Sequence, residues 1–132
     1  MILVDTSVLI DFLSGKKGKH VLQFDDILNR SIPFGINHFI YLELLQGASS
    51  EKEFTLLNEY LHSLKFYDMN SIDSFKKAAT IFYQCKKKGI TVRSTIDCII
   101  VQTCLDYDLV LLQNDRDFLN ISKVIKELRF YN

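Results

Sequence analysis

MILVDTSVL, residues 1–9, decides how this chain folds. Met1-Ile2-Leu3-Val4 is apolar without the alternation of a half-exposed strand, so it reads as a short strand buried on both faces. The strand ends on an acid, Asp5, after which Thr6-Ser7 can cap a helix running through Phe12. Late in the chain Leu109-Val110-Leu111-Leu112 repeats the pattern, leading through Gln113-Asn114 to Asp115, with Asp117 two residues further on. Strands of this kind need helices on both sides, which implies a parallel sheet inside an α/β fold.

The intervening sequence supplies the helices. Val21, Leu22, Ile27 and Leu28 fit one helix beyond the loop GKKGK, and Pro33-Phe34-Gly35-Ile36 reads as a short strand. Asn37 caps a helix over His38 to Gln46, closed by Gly47. Ser50 with Glu53 makes a capping box for the next, carrying Phe54, Leu57, Leu61 and Leu64. Lys65 to Met69 is expected as an edge strand. Ser71 then caps a long helix in which Ile72, Phe75, Ala79, Phe82 and Cys85 recur at helical spacing until Gly89. Ser94 starts a helix through TIDCIIV, residues 95–101, and Leu128 to Tyr131 can form a final strand.

At 132 residues, 48% of them apolar, with ten Phe and six Tyr, the chain can bury one sizeable core, and residues 1–132 read as one domain. No apolar run approaches the roughly 20 residues of a membrane-spanning helix, and no signal-peptide pattern precedes Asp5. Cys85, Cys98 and Cys104 form an odd set without zinc spacing, which favours buried thiols and a cytoplasmic location. Sixteen basic residues balance sixteen acidic ones, so bulk charge does not draw the chain to nucleic acid. Locally, Ser71 to Arg93 holds six cations (Lys76, Lys77, Lys86, Lys87, Lys88 and Arg93) against the single acid Asp73. Lys86-Lys87-Lys88 suits the last turn of a helix, while the segment as a whole could contact phosphate.

Two further acids stand on apolar helix faces: Glu43 beside Phe39, Ile40 and Gly47, and Asp97 one turn from Ile100, Val101 and Cys104. Each has a local explanation. Asp5 can cap the helix it precedes, Asp97 can complete a capping box with Ser94, and Glu43 can pair with a cation. Taken together they point elsewhere. Sites in parallel sheets gather at the carboxyl ends of strands, and carboxylates converging there cannot all stay ionised without a cation. Oxygen donors without clustered nitrogen or sulfur select Mg²⁺ or Mn²⁺. Such ions activate water and neutralise phosphate charge, so phosphodiester hydrolysis is the expected chemistry.

At these residues the sequence resembles the PIN domain ribonucleases, in particular the VapC-type toxins of bacterial toxin–antitoxin pairs. The matching pieces are VDTSVLIDFL at 4–13, ELLQG at 43–47, RSTIDCIIVQTCL at 93–105 and LVLLQNDRDF at 109–118. The resemblance implies a three-layer α/β/α domain with a central, mostly parallel twisted sheet, and a Mg²⁺- or Mn²⁺-dependent endoribonuclease. Its acids fall on Asp5, Glu43, Asp97 and Asp115, with Asp117 as a fifth ligand and Thr6 or Ser7 positioning the attacking water. It also implies RNA as substrate, a cognate antitoxin, a homodimer, and operator DNA reached only through the antitoxin complex. The competing reading is a catalytically silent PIN-like module that binds RNA or operator DNA with its antitoxin. An aspartyl-phosphate site of the haloacid-dehalogenase or response-receiver kind fits less well, because the Asp expected two residues after the first acid is Ser7.

Overall fold

A computed structural model describes all residues, 1–132. Four strands, β1 (Ile2–Val4), β2 (Phe34–Ile36), β3 (Lys65–Phe66) and β4 (Val110–Leu112), form one sheet in the order β3-β2-β1-β4. Every pairing is parallel, with Leu3 opposite Gly35 on one side and Leu111 on the other. All three residues of β1 are buried. Since neighbouring strand residues point to opposite faces, both faces of the sheet are covered.

The covering helices are α1 (Thr6–Leu13), α2 (Lys19–Asn29), α3 (His38–Gln46), α4 (Glu51–His62), α5 (Ile72–Lys87), α6 (Thr95–Tyr107) and α7 (Arg116–Ser122). Helix α1 packs on α2 and α3, α5 packs on α6, and α6 touches α7, giving the expected α/β/α layering. Buried apolar side chains from β1, β2, β4 and all seven helices join in one cluster. The cysteines are free and buried within it, and burial pushes the thiols of Cys98 and Cys104 up to about 12.

Gly35 is where the sheet tolerates no side chain. A Cβ there would lie 2.6 Å from the Tyr67 ring and 2.7 Å from the Lys65 carbonyl oxygen, so β3 can close on β2 only over a glycine.

Several expected boundaries move. The cap of α1 is Asp5 rather than Thr6-Ser7, because its carboxylate is the group that accepts the Ser7 N–H. The edge strand foreseen over Lys65 to Met69 shortens to Lys65–Phe66, although the Tyr67 N–H still donates to Ile36. The final strand is a single parallel bridge, Leu111 with Phe130, carried by Leu111 N–H to Arg129 and Tyr131 N–H to Leu111. Helix α7 is not among the elements expected from the sequence. Its cap, Asp115, sits in a stretch that otherwise reads as the loop ending a strand.

The chain leaves β1 toward β2 on one side and later returns to pair β4 on the other. The crevice of such a sheet opens at this change of direction, beyond the carboxyl ends of β1 and β4. Asp5 follows β1 there, its N–H bonded to Leu112, and Asp115 and Asp117 follow β4.

Candidate metal centre

Asp5 is buried, held by its own capping geometry. One carboxylate oxygen accepts both the Ser7 N–H at 3.1 Å and the Ser7 hydroxyl at 2.7 Å. Burial raises its pKa, the Ser7 hydrogen bonds oppose the rise, and the charge of Glu43 adds to it. Glu43 projects from α3, where the buried Thr6 hydroxyl donates to its Oε1 at 2.8 Å. The expected pairing of Glu43 with a Lys or Arg is not formed; its partner is neutral, so its charge is oriented and left uncompensated.

Asp97 lies at the third position of α6. Ser94 caps the helix through the Ile96 N–H at 3.2 Å, and no side-chain hydrogen bond from Asp97 returns to close the expected box. Its carboxyl is instead pushed up to about 7, first by burial and then by the negative charges of Asp5, Asp115, Asp117 and Glu43. One side chain thus feels every other acid singled out from the sequence. Carboxylate oxygens of Asp97, Asp115 and Asp117 lie within 4.8 Å of one another, while Asp5 and Glu43 stand outside that inner group.

Helix α7 orders the last two acids. Asp115 accepts the Asp117 N–H at 2.9 Å, and the Gln113 side chain accepts the Asp115 N–H at 2.6 Å. Arg93 supplies the positive charge within reach: its Nε donates to Asp117 Oδ2 at 2.9 Å, and a terminal nitrogen is 3.9 Å from Asp115. A single guanidinium faces five acids, so the site holds more carboxyl groups than cations to balance them. The donors are oxygens, convergent and undercompensated, which fits a hard divalent ion and offers nothing to a soft one.

Thr6 and Ser7 each direct a hydroxyl proton at a site carboxylate, and the Ser7 oxygen also accepts the Asn114 N–H at 2.9 Å. That bond ties α1 to the segment after β4. A second tie runs from the Asn114 side chain to Asp11 at 3.4 Å, and Asp11 is held by His20 at 2.7 Å. The His20 bond is the largest cause lowering the Asp11 pKa. His20 is marked by no sequence pattern, and Asp11, Arg93 and Asn114 lie inside the matching pieces without any role at the site being assigned to them from sequence.

A surface groove of about 460 Å³ runs between α1 and α4, lined by Leu13, Leu56, Leu57 and Tyr60. It is mostly apolar, with Glu53 at its edge, and contains none of the five acids gathered at the strand ends. A smaller groove of about 250 Å³ shares Leu13, Leu57 and Glu53 with it and continues to Glu43.

A parallel α/β/α sheet with carboxylates gathered past its strand ends is the frame of this chain, and the chain belongs to the PIN domain family, whose model matches residues 2–124. It is 25% identical over 125 residues to the ribonuclease VapC11 of Mycobacterium tuberculosis, covering 94% of this chain and 93% of that one. Its fold also matches chains in solved structures, two VapBC complexes among them. One is VapBC of Salmonella typhimurium bound to DNA, with a TM-score of 0.74, 21% identity, and 98% and 96% of the two chains covered. The other is VapBC2 of Rickettsia felis bound to a promoter fragment, with a TM-score of 0.74, 16% identity, and 100% and 98% covered.

Proposed function

We propose that the protein is a metal-dependent endoribonuclease, the VapC-like toxin of a type II toxin–antitoxin pair, with residues 1–132 forming one nuclease domain. The observation that carries this reading is the meeting of Asp97, Asp115 and Asp117 within 4.8 Å, with Asp5 and Glu43 charge-coupled to the same carboxyl. Asp5, Glu43, Asp97, Asp115 and Asp117 hold Mg²⁺ or Mn²⁺. When bound, the ion activates water and neutralises the phosphate under attack. The chain's own residues do the positioning: Ser7 fixes Asp5, Thr6 fixes Glu43, and α7 fixes Asp115 against Asp117. With their protons directed at the acids, the two hydroxyls retain acceptor lone pairs through which they orient the attacking water.

RNA is the substrate, in keeping with the relatives' names as ribonucleases. A cognate antitoxin is the regulator. Its apolar segment lies in the α1–α4 groove, which runs on to Glu43 and so lets the same segment cover the site. Operator DNA is reached through that complex, a reading supported by the similar Salmonella and Rickettsia complexes, which are bound to DNA. A homodimer forms through α5, whose Ile72 is 88% exposed and whose Phe75, Phe82 and Tyr83 are also exposed. The protein acts in the cytoplasm, where reducing conditions suit its free thiols.

The test is purified, antitoxin-free protein incubated with total RNA and Mg²⁺. Cleavage should cease on adding EDTA and be absent in Asp97→Asn with the fold retained. Cleavage that survives both treatments overturns the reading. Light scattering of the same sample checks the dimer.

A further inference from the structure

Arg93 is the only cation ion-paired with any of the five acids. It ends the loop before α6, next to the capping Ser94. The two sides of the pair differ sharply in anchoring. The Asp117 side chain is 10% exposed and fixed in the first turn of α7, whereas that of Arg93 is 69% exposed. The one tight hydrogen bond uses Nε, leaving the terminal nitrogens at the mouth of the site, one of them 3.9 Å from Asp115.

We infer that Arg93 stands in for the divalent ion in the metal-free protein, neutralising Asp117 and Asp115, and is released on metal binding to engage a phosphate of the RNA strand. This inference rests on the metal-dependent nuclease reading. The oxygens of Asp97, Asp115 and Asp117 would hold a divalent ion, whose positive charge would repel the guanidinium hydrogen-bonded to Asp117 and replace the neutralisation that the guanidinium supplies. On the Arg93 side the pair faces solvent, which screens it and lets it yield to such competition. The freed group keeps a planar fork of donors suited to phosphate, and its helix-start anchor keeps it beside the reacting strand. The acids thus remain partly neutralised when no ion is bound, and the same side chain becomes a substrate contact when one is.

Three measurements test this. Calorimetric titration with Mn²⁺ should show Arg93→Gln binding the ion on the order of 2- to 5-fold more tightly than the parent, the range expected for removing a competing ion pair that faces solvent on the Arg93 side. Arg93→Lys should fall between them. In a Mg²⁺ titration followed by side-chain NMR, the Arg93 Nε–H signal should lose its protection from exchange in step with site occupancy. For a mixed-sequence RNA oligonucleotide at saturating Mn²⁺, Arg93→Gln should raise KM, and the salt dependence of KM should lose about 0.7 of a logarithmic unit of slope, one phosphate contact on a single strand. Weaker Mn²⁺ binding by Arg93→Gln, or an Nε–H that stays protected at saturating Mg²⁺, overturns the stand-in role. An unchanged KM overturns the phosphate contact. Failure of the nuclease reading looks different: the parent then binds no Mn²⁺, or Asp97→Asn binds it as the parent does.

Discussion

The Thr6 hydroxyl donates to Glu43 Oε1 at 2.8 Å across 37 residues of sequence, joining the first turn of α1 to the middle of α3. The bond fixes one acid of the site through a neighbour that carries no charge. Thr6→Val, of the same shape but without the donor, should keep the fold and weaken Mn²⁺ binding by about 10- to 100-fold, the usual consequence of losing a group that orients a ligand. Thr6→Ser should restore most of it. Titration calorimetry on the three proteins reads the result.

Asp97 sets the pH response. With its carboxyl pushed up to about 7, a proton competes with the ion below that pH, so Mn²⁺ affinity should rise as pH increases through 7 and level off above it. The stability of the metal-free protein runs the other way. The folded pKa exceeds the ordinary value of 3.8, so the contribution of Asp97 is fully present below that value and is lost as pH rises through 7. Melting temperature without metal should therefore fall between about pH 4 and pH 7 and level off above, less steeply in Asp97→Asn, and added Mn²⁺ should reverse the fall at the upper end.

Ser7 makes three bonds at once: two to Asp5 and one from the Asn114 N–H. Ser7→Ala keeps the backbone bond and removes the other two. The expected loss is about 1 kcal/mol or somewhat more in denaturant unfolding. Mn²⁺ binding should weaken as well, since the Asp5 carboxylate loses a donor that favours its ionised form.

Gly35→Ala tests the sheet rather than the site. The added methyl meets the Tyr67 ring and the Lys65 carbonyl oxygen together, and the expected cost is about 1–3 kcal/mol by denaturant unfolding. Adding Tyr67→Ala should not restore stability, because the backbone oxygen stays in place.

The parts of this molecule that could be read from sequence are those governed by local rules. The buried strands announced themselves as unbroken apolar runs, and Asn37, Ser50, Ser71 and Ser94 each cap the helix they precede. Asp5, Glu43, Asp97 and Asp115 stand out because charge on an apolar face, or at the end of a buried strand, needs a partner, while Asp117 enters as a ligand only through the family resemblance. What stayed hidden depends on distance in space. No pattern within the chain says that Asn114 reaches Ser7, that His20 holds Asp11, or that Arg93 points at Asp117. Helix α7 did leave a trace, with Phe118, Ile121 and Ile125 at helical spacing and all buried, but the acids before it read as a loop. Asp97 shows a local rule giving way: its predicted capping bond is absent, and the carboxyl faces the other acids.

The pairing of β1 with β4 has a consequence for how the protein is made. Ile2 must find Val110, and the Asn114 amide must find Ser7 across 107 residues, before the crevice exists. Contacts this distant close late and slowly during folding. While the chain is still emerging from the ribosome, Asp5 and Glu43 are already synthesised, but the segment bearing Asp115 and Asp117 is not. A product truncated before α7 lacks Asp117 and the helix that Asp115 caps, so on the proposed reading it should neither bind Mn²⁺ nor cleave RNA, and the site would be completed only after that helix is synthesised.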